Sequence, residues 1–575
     1  MSYKTCKSIK YKIRYLILSI ALLFIVGGLV FRVVSLHIFE QDFLRNQGDA
    51  RTIRVSSIPA YRGMITDRNG EPLAISTPVA SVWVNPKEFD KNHPQLLALA
   101  NALDISLEEL FEKIARNSER EFVYLKRHIT PHASSEITSL AVSGVHLNPE
   151  FRRYYPAGEV AAHVLGFTDV DDRGQEGLEK AFDESLRGIP GAKRVIRDRQ
   201  GCEVQTLEGL RETRAGQDVV LSIDQRLQYL AYRELKTAVT KYRAIAGTAI
   251  VLDVRTGEVL AMVNQPSFNS NLRVKLYNDG RYRNRAVTDA FEAGSVLKTF
   301  SIANALQNGV VTPTTLVDTS PGWMTVGGHV VRDDNKNFGV IDVSTILQKS
   351  SNVGITKLTL SLPPDRLHQF YSRLGFGSTT GSGFPGESTG VLHPAPKQSS
   401  FVLATLAFGY GLTVTPLQLA QSYAILGAGG IKRPVTFLKQ SEIPAGEQVI
   451  DSVVARQMVD MLEGVVKQGG GTAAKVVGYH TAGKTGTARK VGQGGYQKNN
   501  HMAFFAGLAP ASNPQFAIVV MIDDPQGALY YGSQIAAPVF SKIASGALRL
   551  FNVPPDIMDS QGLRVAQFGQ TPCHD

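Results

Sequence analysis

The chain contains a serine and a lysine spaced for nucleophilic catalysis, in the segment Ser295–Lys298. A serine hydroxyl is a poor nucleophile, so a neighbouring base must take its proton. On a helix, residues three apart share a face, so Lys298 can reach the Ser295 hydroxyl. Gly294 lets the chain turn tightly and leaves Ser295 at a helix N-terminus, where free backbone N–H groups favour negative charge. By itself, this short pattern also fits an ordinary exposed helix start.

A second polar segment, Ser350-Ser351-Asn352, lies within an apolar stretch. Its serine offers a hydroxyl that can relay a proton, and its asparagine offers an amide that can hold both a lysine and a substrate carbonyl. Taken alone, such a segment is more often a polar helix cap.

A third segment, Lys484-Thr485-Gly486-Thr487, comes shortly before two apolar runs. On a β-strand, Lys484 would face the site as a cation, and Thr485 and Thr487 would offer hydroxyls to a carboxylate. Gly486 would remove a side chain where substrate must lie close. A strand edge can also pair with an extended peptide. As an isolated motif, this segment is a weak signal.

The three segments together are far more specific than each one alone. Ser350 follows Ser295 by 55 residues, and Lys484 follows Ser295 by 189. The motifs SxxK, SxN and KTG form the signature of serine β-lactamases and penicillin-binding proteins, in which the serine is the nucleophile. The combination therefore predicts one acyl-transfer site with Ser295 as nucleophile and Lys298 as its base.

Strand patterns at both ends of the C-terminal half enclose a helical middle. The predicted elements are a helix over 225–241, a hairpin over 247–263, helices between 295 and 430, strands over 502–508 and 516–522, and a helix over 536–548. Strands at both ends with grouped helices between them predict an α+β domain built on one antiparallel sheet, over residues 240–553.

The N-terminus has the pattern of a membrane anchor. Its apolar segment, 15–38, is long enough as a helix to cross a bilayer core of about 30 Å. Arg32 lies near the far end, where its side chain can reach the interface. Basic residues in the first fourteen positions predict a cytoplasmic tail over 1–14 and a single-pass topology. The alternative is a cleaved signal peptide, but the apolar stretch is long and no small-x-small site follows it.

Composition excludes several classes of function. Lys and Arg exceed Asp and Glu by 61 to 51. Half of that excess lies in the first fourteen residues, so the remainder is too dilute to predict a nucleic-acid partner. The three cysteines are far apart, and the 12 histidines show no metal-ligand spacing. We therefore expect no disulfide framework, no CxxC site and no zinc hydrolase site.

The chain resembles the class B penicillin-binding proteins, which are membrane-anchored D,D-transpeptidases that cross-link peptidoglycan. Segments that look like the non-catalytic motifs of this family are Arg62–Gly70 with Leu73-Ala74, Arg153–Pro156, His163–Gly166 and Gly174–Glu179. Phe408–Gly411 and Val414–Ala420 look like the cell-division (FtsI-type) branch rather than the elongation branch. The resemblance implies a penicillin-binding-protein/serine β-lactamase-like domain, an irregular β-rich pedestal over 45–235 and a polar tail over 554–575.

The resemblance also implies a role for each motif residue, in a reaction that needs no metal and no organic cofactor. Ser295 would attack the carbonyl of the penultimate D-alanine of a stem peptide, and Lys298 would accept its proton. Backbone N–H groups of Ser295 and Thr487 would form the oxyanion hole. Ser350 and Asn352 would relay the proton and hold the donor peptide. The terminal carboxylate of that peptide would be recognised by Lys484, Thr485 and Thr487.

The same resemblance implies partners and a location. The partners would be peptidoglycan stem peptides, β-lactams as inhibitors, the membrane, a polytopic septal glycosyltransferase and other division proteins. The protein would lie in the bacterial inner membrane at the midcell septum, with its catalytic domain in the periplasm. Two alternatives share the motifs: a membrane-anchored β-lactamase, and a catalytically idle β-lactam sensor or division scaffold.

Overall fold

The chain divides into two units, and each unit is built from three separate stretches of sequence. The computed structural model describes residues 3–197, 203–272, 280–334, 336–393, 399–492 and 495–557. The first unit comprises Met1–Tyr61, Pro78–Phe151 and Gly188–Ala215, and the second comprises Arg62–Thr77, Arg152–Arg187 and Gly216–Asp575. The predicted pedestal, 45–235, therefore contributes to both units. Most of the predicted polar tail, from 558 onward, lies outside the described residues.

The first unit begins with a long helix whose apolar side chains are exposed. The helical segments here are Tyr3–Val34, a π-helical turn over Ser35–Phe39, and Gln41–Thr52. The apolar part, Lys12–Phe39, has 28 residues, so at about 1.5 Å per residue it is long enough to cross a bilayer core. Arg32 Nη1 donates to Glu40 Oε1 at 2.9 Å. The charge near the end of the apolar helix is therefore paired.

The remainder of the first unit contains strands of two sheets. A three-stranded antiparallel sheet is formed by Ile53–Ile58, Gly191–Arg197 and Glu203–Arg211. The second group of strands is the end of Pro72–Val84, Val123–Ile129 and most of Val145–Tyr154, and the helices that pack on it are Leu96–Ala102, Leu107–Ala115 and Pro131–Leu140. Alternate strand residues such as Val82, Val84 and Leu125 share a buried cluster with Leu110 and Ile114 of the helices, as the two-residue period of a strand requires.

Buried ion pairs join the family-like motifs at the start of the second unit. Glu179, fully buried, contacts Arg62 Nη2 and Arg153 Nε, each at 2.6 Å. Arg62 Nη1 also contacts Asp183 Oδ1 at 2.7 Å. Buried charges persist only when they are paired and hydrogen-bonded. These motif residues therefore have a structural role in holding distant segments together.

A five-stranded antiparallel sheet forms the centre of the second unit. In spatial order, its strands are Val259–Gln265, Ala246–Asp253, Phe516–Asp523, Gly495–Ala509 and Ala482–Gly492. The helix Gln225–Lys241 has the predicted bounds, and the last helix runs over Gly532–Leu550 rather than 536–548. The sheet and its grouped helices confirm the predicted α+β fold.

Helices cover both faces of this sheet. On one face, Ala249, Val251 and Phe505 share a buried cluster with Leu235 and Phe540 of the helices Gln225–Lys241 and Gly532–Leu550. The opposite face packs on the helical middle of the chain. The helices there are Lys298–Gln307, Val343–Lys349, Asn352–Leu360, Asp365–Leu374, Ser400–Ala407, Pro416–Gly427 and Ser452–Lys467. Because both faces are covered, the central strands are apolar at nearly every position rather than alternating.

Short elements complete the second unit. The short strands are Ile65–Thr66, Phe167–Thr168, Gly174–Glu176, Val219–Val220, Leu316–Asp318, Trp323–Val326, His329–Arg332, Val340–Asp342, Val391–Leu392, Leu412–Thr413, Ile431–Lys432 and Glu447–Gln448. The short helical turns are Ala162–Leu165, Gly177–Ala181, Asp183–Leu186, Arg285–Thr288, Gly294–Leu297 and Thr472–Ala474.

Candidate active site

The turn that carries Ser295 is a short 3-10 helix, Gly294–Leu297, which leads into the buried helix Lys298–Gln307. Gly294 has φ +55°, which is a left-handed conformation that glycine adopts without a steric penalty. Its N–H donates to Gly409 O at 3.1 Å. Ser295 is half-buried at the surface of this turn. The Phe408–Gly411 segment, which the sequence analysis interprets as a branch motif, therefore contacts the turn that carries Ser295.

Lys298 connects the first motif to the second. Its side chain is 1% exposed. Its Nζ donates to the backbone oxygen of Ser350 at 2.6 Å and to the hydroxyl of Ser350 at 3.1 Å. Ser350 ends the helix Val343–Lys349 with φ 60° and ψ 40°. The structure thus brings together two motifs that are 52 residues apart, counted from Lys298 to Ser350.

Asp333 is a site residue that sequence reasoning missed. The carboxylate, 4% exposed, accepts hydrogen bonds from the Ser351 hydroxyl at 2.6 Å and from the N–H groups of Asn352 and Val353 at 2.5 and 2.9 Å. The Asn352 amide donates to Arg332 O at 2.8 Å. No sequence spacing marks Asp333, because its partners lie about twenty residues further along the chain.

The third motif lies on the edge strand Ala482–Gly492. Lys484 is 1% exposed and donates to Thr485 O at 3.1 Å. Thr485 and Thr487 are half-buried, and the Thr487 hydroxyl accepts from Gly532 N at 3.1 Å. A hydroxyl that accepts through its oxygen still has its proton to donate to a carboxylate.

Gly486 packs against the turn Gly294–Leu297, which carries Ser295. A Cβ at this position would lie 2.6 Å from Val296 Cγ2 and 3.0 Å from Ala293 O. Packing against the Ser295 turn is therefore a reason for glycine here that the sequence did not indicate, and closeness of Gly486 to substrate stays a prediction. The space beside Gly486 is occupied by protein atoms, and the missing side chain lets the strand approach the Ser295 turn.

Burial sets the charge state of both lysines. Burial lowers the pKa of Lys298 to about 8, and the carboxylates of Asp333 and Asp334 oppose that shift. Burial, and to a smaller extent the positive charge of Lys298, together lower the pKa of Lys484 to about 7. A neutral amine is therefore accessible near physiological pH, which is what a general base for serine requires.

A carboxylate close to the Ser295 turn contacts the end of the hairpin formed by Ala482–Gly492 and Gly495–Ala509. Glu292 accepts from Gly411 N at 2.8 Å and from the Tyr496 hydroxyl at 2.9 Å. The Tyr496 ring packs edge-on against Tyr410, with ring centroids 5.7 Å apart. Sequence reasoning singled out Tyr410 but not Glu292 or Tyr496, which belong to no motif.

Among the described residues, no group of three or more His, Cys, Asp or Glu side chains could hold a metal ion. The expectation of a site without metal or organic cofactor stays a prediction.

Two known protein families match this chain. The family described as the penicillin-binding protein transpeptidase domain matches residues 247–545, and the penicillin-binding protein dimerisation domain matches residues 57–221. The chain is a class B penicillin-binding protein. The first match contains all three motifs of the site, and the second contains the buried Arg62, Arg153 and Glu179.

Curated relatives match this penicillin-binding protein over nearly its whole length. It is 44% identical to the peptidoglycan D,D-transpeptidase FtsI of Escherichia coli K12, over 94% of this chain and 91% of that protein. It is 40% identical to the probable peptidoglycan D,D-transpeptidase PbpC of Pseudomonas aeruginosa, over 96% and 98%.

Solved structures agree with the fold. A peptidoglycan synthetase from Bifidobacterium adolescentis matches with a TM-score of 0.70 and 28% identity, over 88% of this chain and 98% of that one. Penicillin-binding protein 3 of Mycobacterium tuberculosis in complex with aztreonam matches with a TM-score of 0.68 and 28% identity, over 87% and 98%.

Proposed function

We propose that this penicillin-binding protein cross-links peptidoglycan stem peptides through an acyl-enzyme on Ser295, and that β-lactams inhibit it by acylating the same serine. The observation that carries the proposal is the hydrogen bonding of buried Lys298 to Ser350, beside the turn that holds Ser295. Lys298 directly follows that turn, and a buried amine of lowered pKa near a serine nucleophile is what acyl transfer needs.

The acylation step uses the first two motifs. The Ser295 oxygen attacks the carbonyl carbon of the penultimate D-alanine, and its proton passes to neutral Lys298. The backbone N–H groups of Ser295 and Thr487 stabilise the oxyanion, an effect usually worth a few kcal/mol. The peptide bond then breaks, and the leaving D-alanine amine takes the proton back through Ser350. Asn352 holds the donor peptide.

The third motif recognises the donor's terminal carboxylate. Protonated Lys484 supplies the positive charge. Two effects favour this form once the donor is bound: neutral Lys298 no longer lowers the pKa of Lys484, and the donor's carboxylate raises it. The half-buried hydroxyls of Thr485 and Thr487 donate hydrogen bonds to the carboxylate oxygens. The edge strand leaves backbone groups on its open side for an extended peptide.

Release of the acyl group completes the reaction. An amine from a neighbouring stem peptide attacks the ester carbonyl, the Ser295 oxygen leaves, and the proton from the amine returns to that oxygen. The product is the cross-link. Attack by water at the same carbon would instead give D,D-carboxypeptidase activity.

We further propose that the protein acts at the midcell septum. The support is its similarity to proteins named FtsI over nearly the whole chain, together with the Phe408–Gly411 segment beside the nucleophile's turn. The helix Lys12–Phe39 would anchor it in the inner membrane, with the N-terminus in the cytoplasm and the catalytic domain in the periplasm. Its division partners would include a polytopic septal glycosyltransferase.

Ser295→Ala tests the proposal in two settings. The purified variant should fold normally and form no covalent adduct with fluorescent penicillin, whereas the parent adduct should last for hours. An adduct that decays in seconds would indicate a β-lactamase, and absence of labelling in the parent would indicate an idle scaffold. In cells that depend on the variant, division should stop and smooth filaments should form. Swollen round cells would contradict the septal assignment.

A further inference from the structure

A buried carboxylate outside the three motifs contacts the turn that contains the second motif. Asp333 follows the hairpin formed by Trp323–Val326 and His329–Arg332. Its two oxygens accept hydrogen bonds from the Ser351 hydroxyl and from two backbone N–H groups, at 2.5 to 2.9 Å. These donors begin the helix Asn352–Leu360. The carboxylate therefore caps this helix from another part of the chain.

The same turn sets the position of Ser350. Ser350 has φ 60° and ψ 40°, a left-handed conformation that serine adopts only when surrounding contacts hold it. Its hydroxyl and its carbonyl both accept from Lys298 Nζ. The three bonds to Asp333 start at the next residue along the chain, so loss of that carboxylate would free the segment that positions Ser350.

Asp333 also acts on Lys298 through its charge. Among the described residues, the carboxylates of Asp333 and Asp334 raise the pKa of Lys298, and the positive charge of Lys298 in turn lowers the pKa of Lys484. Burial lowers the pKa of Lys298, and the two carboxylates oppose that shift. The effect of Asp333 on this pKa is larger than that of Asp334. Asp334 is exposed, whereas Asp333 lies in the interior, where solvent screens a charge less.

We propose that Asp333 is a positioning residue of the transpeptidase site: its carboxylate holds Ser350 against Lys298 and supplies negative charge that partly offsets the burial of this lysine. The inference rests on the proposed roles of Ser295 and Lys298, and it adds a fourth chain segment to the three motifs. The proposal also gives the buried Asp333 carboxylate an electrostatic role, since its charge opposes the effect of burial on the pKa of Lys298. The charge keeps the pKa of the amine high enough for a strong base.

The test compares three aspartate variants in the full-length protein. Asp333→Asn removes the charge and disturbs the three hydrogen bonds. Asp334→Asn removes an exposed charge near Lys298. Asp342→Ala removes an ordinary helix cap, since Asp342 accepts from Thr345 N at 2.7 Å at the start of Val343–Lys349. The second-order rate constant of acylation by fluorescent penicillin is measured from about pH 6 to about pH 10, with thermal unfolding in parallel.

Asp333→Asn should lower the acylation rate about tenfold to a hundredfold and move the acid limb of the profile to lower pH, because Lys298 would then lose its proton more easily. Asp334→Asn should move the acid limb less and keep most of the rate. Asp342→Ala should lower thermal stability and leave the acylation profile parental.

Parental acylation by Asp333→Asn would overturn the inference. So would a loss of rate that follows thermal stability with no movement of the acid limb, as in a purely structural role. If Asp333→Asn does not fold, Ser351→Ala removes one contact to the carboxylate and should still lower acylation, and a parental rate there would also overturn the inference. Failure of the parent itself to acylate would instead refute the proposed function.

Discussion

Gly486 packs against the turn that carries Ser295, so we expect Gly486→Ala to displace this turn and to slow acylation. The added Cβ would lie 2.6 Å from Val296 Cγ2 and 3.0 Å from Ala293 O. Carbon atoms in contact are separated by about 3.5–4.0 Å, so the strand and the turn must separate by about 1 Å. Overpacking of this kind costs about 1–3 kcal/mol of stability, and a displacement of about 1 Å at a catalytic group costs about a hundredfold in rate.

The assay is the second-order rate constant of acylation by fluorescent penicillin, measured with thermal unfolding. Gly486→Ala should lose about a hundredfold in rate and remain folded. The matched control is Gly209→Ala, on another strand, where an added Cβ meets no atom within 4 Å. It should acylate at the parental rate.

A second substitution distinguishes protein packing from room for substrate. Val296→Ala removes the nearest clashing atom, so the double variant of Gly486 and Val296 should recover about tenfold of the lost rate. The contact with Ala293 O remains, so recovery should be incomplete. A folded double variant with no recovery, or a parental rate for Gly486→Ala alone, would refute the packing argument.

Three further predictions concern charge. The rate constant of acylation of the parent should rise with pH through about pH 8. Burial lowers the pKa of Lys298 to about 8, and only its neutral form accepts the Ser295 proton. A stopped-flow profile that is flat between about pH 6 and 9 would contradict this prediction. Lys298→Ala should abolish acylation, whereas Lys484→Ala should mainly weaken binding of carboxylate-bearing penicillins, and equal rates for Lys298→Ala and the parent would exclude the base role. Glu179→Gln should lower the free energy of unfolding by about 3–5 kcal/mol, because it leaves the buried Arg62 and Arg153 without their shared carboxylate. Chemical denaturation measures this loss. An unchanged denaturation midpoint would contradict the prediction and mean that water or other groups compensate.

Local patterns in the sequence predicted much of this protein. The helix Gln225–Lys241 has the predicted bounds because its apolar residues recur with the helical period and Asp224 caps its start. The strands of the central sheet were also predicted, since runs of apolar residues bounded by turns are typical of strands buried on both faces. The three motifs identified the family because their order is far more specific than each motif alone.

Tertiary structure decided what depends on residues far apart in the chain. Arg62 and Glu179 are 117 residues apart, and nothing in either local sequence predicts their buried contact. The same holds for Asp333 and its turn, for Glu292 and Tyr496, and for the division of region 45–235 between two units. Sequence periodicity reports which face of an element is buried, but not which distant element covers it. Gly486 shows the limit most clearly. Its motif predicted a glycine close to substrate, and only the fold shows that the missing side chain also leaves room for Val296, because close packing decides which atoms fill such a space.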